Sequence, residues 1–147
     1  MTKDANTSSY FNVLHPAQTV NNIKSHVPLI LDLKKVRYEI WAELFRVVAR
    51  AYLVMDHLDE SLPDLDVPTE KWIQIDAIVL SWIYSTISED LLLTIIKPGS
   101  TACDAWLRVK DADLKNQSMA AKLAKIDKEV SDQRLVLQLI KGLTPGL

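Results

Sequence analysis

This sequence predicts an all-α fold, a compact bundle of about five or six helices, and three observations carry that prediction. Apolar residues recur at helical spacing along most of the chain. Helix starts and stops are marked by capping side chains and by Pro-Gly breaks. The 147 residues, 48% of them hydrophobic, can form one domain that buries roughly two thirds of its unfolded surface.

Residues 1–25, "MTKDANTSSYFNVLHPAQTVNNIKS", are polar and without period, and are expected to form a flexible N-terminal arm; residues 26–147 form the helical domain. The arm has no apolar run behind its early lysine, so it does not read as a secretory signal. "VPLILDL" follows as a short extended segment, because Pro28 disfavours helix at the residue before it.

From about residue 36 to 52 the period becomes helical. Trp41, Leu44, Phe45, Val48 and Tyr52 take one side, while Glu39, Glu43, Arg46 and Arg50 take the other. "HLDESLPDLDVP" is then a loop with no period. A second long helix starts near Pro68 or Thr69 and runs to about Tyr84. Trp72, Ile75, Val79 and Trp82 form one stripe on it, and Ile73, Ala77, Leu80 and Tyr84 form another. Such a helix belongs in the middle of a bundle.

Ser88 caps a third helix, with Glu89 and Asp90 at the positive end of its dipole. Pro98 and Gly99 stop it, and Lys97 sits at its negative end. Thr101 caps the next helix, with Asp104 in the partner position of a capping box. "LKNQSMAAKLAKIDKEV" shows only one narrow stripe, Met119, Leu123 and Ile126, among lysines. Ser131 is expected to cap a last helix that places Leu139 in the core, and Gly142 and Pro145 end it.

Little in this list of residues is suited to chemistry. His15, His26 and His57 fall in an arm, a linker and a loop, and none has a second ligand at i+3 or i+4, so they read as solvated and no metal site is expected. The three glycines form no phosphate cradle. Cys103, the only cysteine, stands in the first turn of a helix with no histidine near it in sequence, and reads as a small buried hydrophobe. Glu89 and Asp90 are explained by the helix dipole. The four tryptophans each fall in an apolar stripe and read as core.

No catalytic residue, cofactor or small-molecule substrate is therefore expected. A lone cysteine permits no internal disulfide and suits a reducing, cytoplasmic setting. The most apolar stretch, residues 73–96, is broken by Asp76, Ser81, Ser85, Ser88, Glu89 and Asp90, so no membrane span is expected. The formal net charge is -2, which leaves no global field to attract RNA. Lys115, Lys122, Lys125 and Lys128 are the local candidates for weak contact, with acids interleaved among them.

Four segments, taken in order, carry a resemblance. "LDLKKVRYEIWAELF", "WIQIDAIVLSWIYSTISEDLL", "GSTACDAWLRV" and "VSDQRLVLQLIKGL" together resemble the gag polypeptide of plant copia-type LTR retrotransposons, over most of the chain from about residue 23. The resemblance implies a capsid-like helical protein that self-assembles around element RNA. It places Tyr38 and Trp41 as an aromatic pair opening the first helix. Trp72, Asp76, Trp82, Ser88, Leu91 and Leu92 fall in the central helices, and Thr101, Ala105 and Trp106 in the helix after the glycine turn. It brings no catalytic residue, since protease, integrase and reverse transcriptase are separate parts of such polyproteins.

Two departures from that family stand out. Between Trp106 and the closing segment there is only "KDADLKNQSMAAKLAKIDKEV", which looks like an internal deletion, so the C-terminal part from about residue 113 is truncated relative to the family. No CCHC zinc knuckle follows, and one cysteine could not build it. The expectation is a non-enzymatic structural protein that associates with itself. Missing helices should leave Trp106 with Val109, and Met119 with Leu123 and Ile126, incompletely covered. The rival expectations are a helical adaptor for a cellular partner and a weak, non-specific RNA-binding module.

Overall fold

The computed structural model describes residues 14–59 and 69–143. Among them are four α-helices, α1 (Tyr38–Ala51), α2 (Thr69–Ser85), α3 (Glu89–Ile95) and α4 (Ala102–Leu143), with three short 3-10 turns and no strand. The fold class is all-α as expected, with four helices in place of five or six. No helix of the described residues is long and apolar enough to cross a membrane. The chain divides into two compact units, residues 1–110 and 111–147.

The first unit holds the aromatic core. α1 turns Trp41, Ala42, Phe45, Val48 and Ala49 inward, and its charged face forms only exposed Arg46–Glu43 and Arg50–Glu43 pairs of 3.7 and 3.6 Å, which contribute little. Trp106, from the first turns of α4, lies 5.3 Å from the Trp41 ring and 5.2 Å from Phe45, centroid to centroid. Tyr38 joins this cluster, its ring centroid 6.1 Å from that of Trp41. The Arg46 guanidinium sits 5.7 Å from the centre of the Trp106 ring, a cation–π contact that covers its outer face. Trp106 and Val109 are consequently buried. Their expected exposure is corrected: both are covered, and for Trp106 the apolar partner is α1.

α2 buries Ile75, Val79, Trp82 and Ile83. Its second stripe is less covered than its pattern suggests, since Ile73 and Ala77 are exposed while Leu80 and Tyr84 are half-buried. The helix thus packs through one face instead of being enveloped. Trp72 is half-buried and stacks on a histidine described below.

Capping signals hold locally. The Ser88 hydroxyl accepts from the Leu91 N–H, and Thr101 and Asp104 exchange side-chain-to-backbone bonds of 3.1 Å in both directions. The Thr101 backbone N–H, donating to the Asp104 carboxylate, is the main cause that holds this carboxyl below its ordinary range. Gly99, at φ +76°, takes the left-handed conformation that turns the chain between α3 and α4. The orphan carbonyl of Ile95 at the end of α3 accepts from Arg108 Nε at 2.8 Å, and the same guanidinium reaches the Ser100 hydroxyl. Arg108, not Lys97, serves that helix end.

The N-terminal region also departs from expectation. Within the arm expected over residues 1–25, residues 14–25 contain 3-10 turns at Pro16–Thr19 and Ile23–Ser25 that bury Ala17 and Ile23, while residues 1–13 lie outside the described residues. The extended segment carries buried Val27 and Leu31 and makes one isolated parallel bridge, Leu31 to Ile87. Leu31 donates to the Thr86 carbonyl and accepts from the Ser88 N–H, both at 2.8 Å, so the segment pairs with the turn between α2 and α3.

In the second unit α4 continues without interruption. Ser131 was expected to begin a separate helix, but it lies inside α4, as does Gly142 in the last turn. Nothing from 102 to 141 is Gly or Pro, and Ala, Leu, Lys, Gln and Glu propagate a helix readily, so the capping residue has no break to cap. Leu139, expected in the core, is 67% exposed. Its apolar character fits helix spacing, but this portion of α4 exposes nearly every side chain.

Replacing Trp41 by alanine removes the ring at the centre of the aromatic cluster and should cost about 3–5 kcal/mol in chemical denaturation. Trp41 Nε1 is buried with no hydrogen-bond partner, so Trp41→Phe forfeits no hydrogen bond and should cost less than half as much.

Candidate functional site

The polar groups that the fold gathers are not the ones the sequence pattern singles out. His57, in the 3-10 turn Met55–His57, is 3% exposed, contrary to the solvated reading of all three histidines. Its Nδ1 lies 2.9 Å from Asp76 Oδ1 on α2. An ionised carboxylate only accepts, so the Nδ1–H donates in this pair. The second oxygen, Asp76 Oδ2, accepts the backbone N–H of Ala102 at 3.1 Å, one of the unpaired donors at the start of α4. That oxygen thus sits at the positive end of the α4 dipole. Trp72 covers the imidazole with ring centroids 4.1 Å apart.

A second layer adjoins this pair. His15 caps the turn Pro16–Thr19, with Nδ1 accepting from the Ala17 N–H at 3.0 Å, while its own N–H donates to Gln18 Oε1 at 2.8 Å. Lys71 Nζ donates to the same Gln18 oxygen at 2.7 Å. Partial burial lowers the affinity of His15 for a proton, helped by the neighbouring His57 and Lys71 and opposed by Asp56.

This cluster joins the turn after α1, the middle of α2 and the first residue of α4. Both Asp76 oxygens are engaged by donors from distant segments, and the carboxylate is buried. Such a pair resembles the histidine and orienting carboxylate of a hydrolase, but here the carboxylate also holds a helix terminus, and the arrangement acts as a staple. The missed signal was Asp76 itself, a lone acid within an otherwise apolar stripe of α2, which needs a buried donor somewhere.

Cys103 is half-buried in the first turn of α4, one residue after Ala102. Among the described residues no three His, Cys, Asp or Glu side chains gather in a way that could hold a metal ion. An open cleft of about 380 Å³ lies between the N-terminal turns and α2, lined by Gln18, Asn21, Asn22, Ser81, Trp82 and Ser85 among others, none of them titratable.

The predicted surface residues lie on α4. Met119, Leu123 and Ile126, expected as a self-association surface, are 63%, 59% and 53% exposed. Lys122, Lys125 and Lys128 are exposed, and Lys115 is paired with Asp111 at 3.0 Å. Helical spacing places Glu129 one turn beyond Lys125 and Asp132 one turn beyond Lys128, so the lysines form no continuous basic face. Of the predicted framework, Tyr38, Trp41, Phe45, Ile75, Val79, Trp82, Leu91 and Trp106 are buried, Trp72 is half-buried and Leu139 is outside the core. Comparisons with family models, with curated proteins and with solved structures found no match.

Asp76→Ala leaves the His57 Nδ1–H and the Ala102 N–H without an acceptor and should cost about 3–5 kcal/mol. Asp76→Asn keeps one acceptor oxygen and should cost measurably less in the same urea titration.

His15 has a folded pKa below its ordinary 6.5, so the unfolded chain binds more protons there as pH falls below 6.5. Its contribution to stability is fully present above that value and declines with acidification, as protonation also removes the acceptor for Ala17. His15→Asn keeps a capping oxygen without titrating. Its denaturation midpoint should fall less than that of the wild type between about pH 7.5 and about pH 5.

Proposed function

We propose that this chain is a non-enzymatic structural protein of the copia-type gag kind, acting by association with further copies of itself in the cytoplasm. One observation carries the reading: beyond residue 113, α4 displays Leu114, Met119, Leu123, Ile126, Val130, Leu135, Val136, Leu137, Leu139 and Ile140, all more than 40% exposed. Isolated apolar side chains are ordinary on a protein surface, but a continuous run along one helix favours burial against a partner. The resemblance of four ordered segments to plant retrotransposon gag supplies the class, and the use of His57 and Asp76 as a staple leaves the most evident polar pair in a structural role.

An adaptor for a cellular partner would use the same helix. Sedimentation velocity and light scattering over a concentration series separate the two. The gag-like reading expects mass to rise with concentration in the pure protein, and electron microscopy should then reveal assemblies. A strictly monomeric chain at high concentration overturns it.

RNA contact in this reading is weak and sequence-independent. Four lysines at most are available, so binding to single strands should fall with salt on a log–log slope no steeper than about -3. Lys122→Gln, Lys125→Gln and Lys128→Gln combined should abolish most of it in a filter or anisotropy titration. Sequence-selective binding that persists in high salt would favour the RNA-binding module instead.

A further inference from the structure

Because α4 is one helix and not two, its exposed apolar residues can be read in a single register across Ser131. Met119, Leu123, Ile126, Val130, Gln133, Leu137 and Ile140 follow one another at alternating steps of four and three residues. That alternation is the heptad seam of a coiled coil, with Leu123, Val130 and Leu137 at a positions and Met119, Ile126, Gln133 and Ile140 at d positions. The segment runs for about 31 Å at 1.5 Å per residue, and three heptads is the length at which such a pattern becomes informative. All seven side chains are exposed.

We propose that residues 119–140 form one strand of a parallel, in-register coiled coil whose other strands are further copies of this chain. The proposal rests on the self-association reading above and adds its surface, orientation and register. The charges flanking the seam point to the same chain as the occupant. The g positions hold Lys122 and Glu129, and the e positions five residues later hold Asp127 and Arg134. In a parallel pair each g residue faces the following e residue of the other strand. Lys122 then meets Asp127 of the second copy, and Glu129 meets Arg134 of the second copy, each twice by symmetry.

The antiparallel register with the longest overlap, Met119 opposite Leu137, would instead bring Asp127 against Asp127 and Glu129 against Glu129. Exposed ion pairs contribute little energy each, so burial of the seam drives association while the charges select its direction. Leucine at a with isoleucine at d weighs toward more than two strands. Apolar Ala120 at e and Val136 at g widen the seam in the same sense.

Disulfide trapping in the full chain tests this. In a Cys103→Ala background, Met119→Cys should give a disulfide-linked dimer on mild oxidation, because a parallel, in-register seam brings residue 119 beside its own copy and an antiparallel one does not. Leu137→Cys should do the same from the other end. Cross-linking only between Met119→Cys chains and Leu137→Cys chains would establish an antiparallel pair and overturn the proposal. Lys122→Glu should weaken association about three- to tenfold, and adding Asp127→Lys should restore it. Leu123→Asn with Leu137→Asn should yield monomer while core tryptophan emission and unfolding of the aromatic cluster stay unchanged. Association unaffected by that pair, with no trapping at 119 or 137, overturns the seam but leaves self-association standing; a monomeric wild type overturns both.

Discussion

The Asp76 carboxylate is the constraint on which the rest of the first unit depends. A buried anion on the apolar face of α2 is costly unless its oxygens are filled, and here they are filled by groups from two other parts of the chain. One is the imidazole of His57, which fastens the turn following α1. The other is the first backbone N–H of α4, which sets where that helix begins. Once α4 starts at Ala102, Trp106 falls onto Trp41 and Phe45, Val109 enters the core, and Arg108 reaches back to the end of α3. A misplaced start would rotate every one of these side chains away from its partner, since each residue turns the helix by about 100°.

Local determinants of this fold were legible in the sequence, and long-range ones were not. The Ser88 cap, the Thr101–Asp104 box and the Pro98-Gly99 turn involve residues three or four apart, so their chemistry can be read from spacing. His57 and Asp76 are far apart in sequence: a lone acid in the apolar stripe of α2 calls for a buried donor, but no spacing names His57 as that donor. Arg108 escaped notice for the same reason. The continuity of α4 was missed for another cause: serine before a charged, apolar-periodic stretch is a capping signal only where the preceding residues stop being helical. Dividing the helix at Ser131 also concealed the heptad, because neither half alone is long enough to show it.

A division of labour follows for the functional reading. Residues with the most distinctive chemistry, the buried histidine, the buried carboxylate and the clustered tryptophans, are engaged in holding the first unit together. Residues beyond 113 do the reverse, since they fold by propensity and expose what would ordinarily be core. The exposed apolar side chains beyond residue 113 are what the proposed self-association would use. The interleaved acids on α4 limit how strongly nucleic acid could compete for the same helix, and they give the flanks of the seam the alternation of sign that self-recognition can use.

The Leu31–Ile87 bridge bears on the order in which the chain gains structure. Its two hydrogen bonds join segments about 55 residues apart, and the entropy of closing such a loop must be met before either bond forms. Thr86 and Ser88 present the correct carbonyl and N–H only after α2 has ended and α3 has begun, so the turn between those helices has to exist first. The Leu31 segment is therefore a late arrival that latches a preformed corner, and contacts of this kind slow unfolding more than they speed folding.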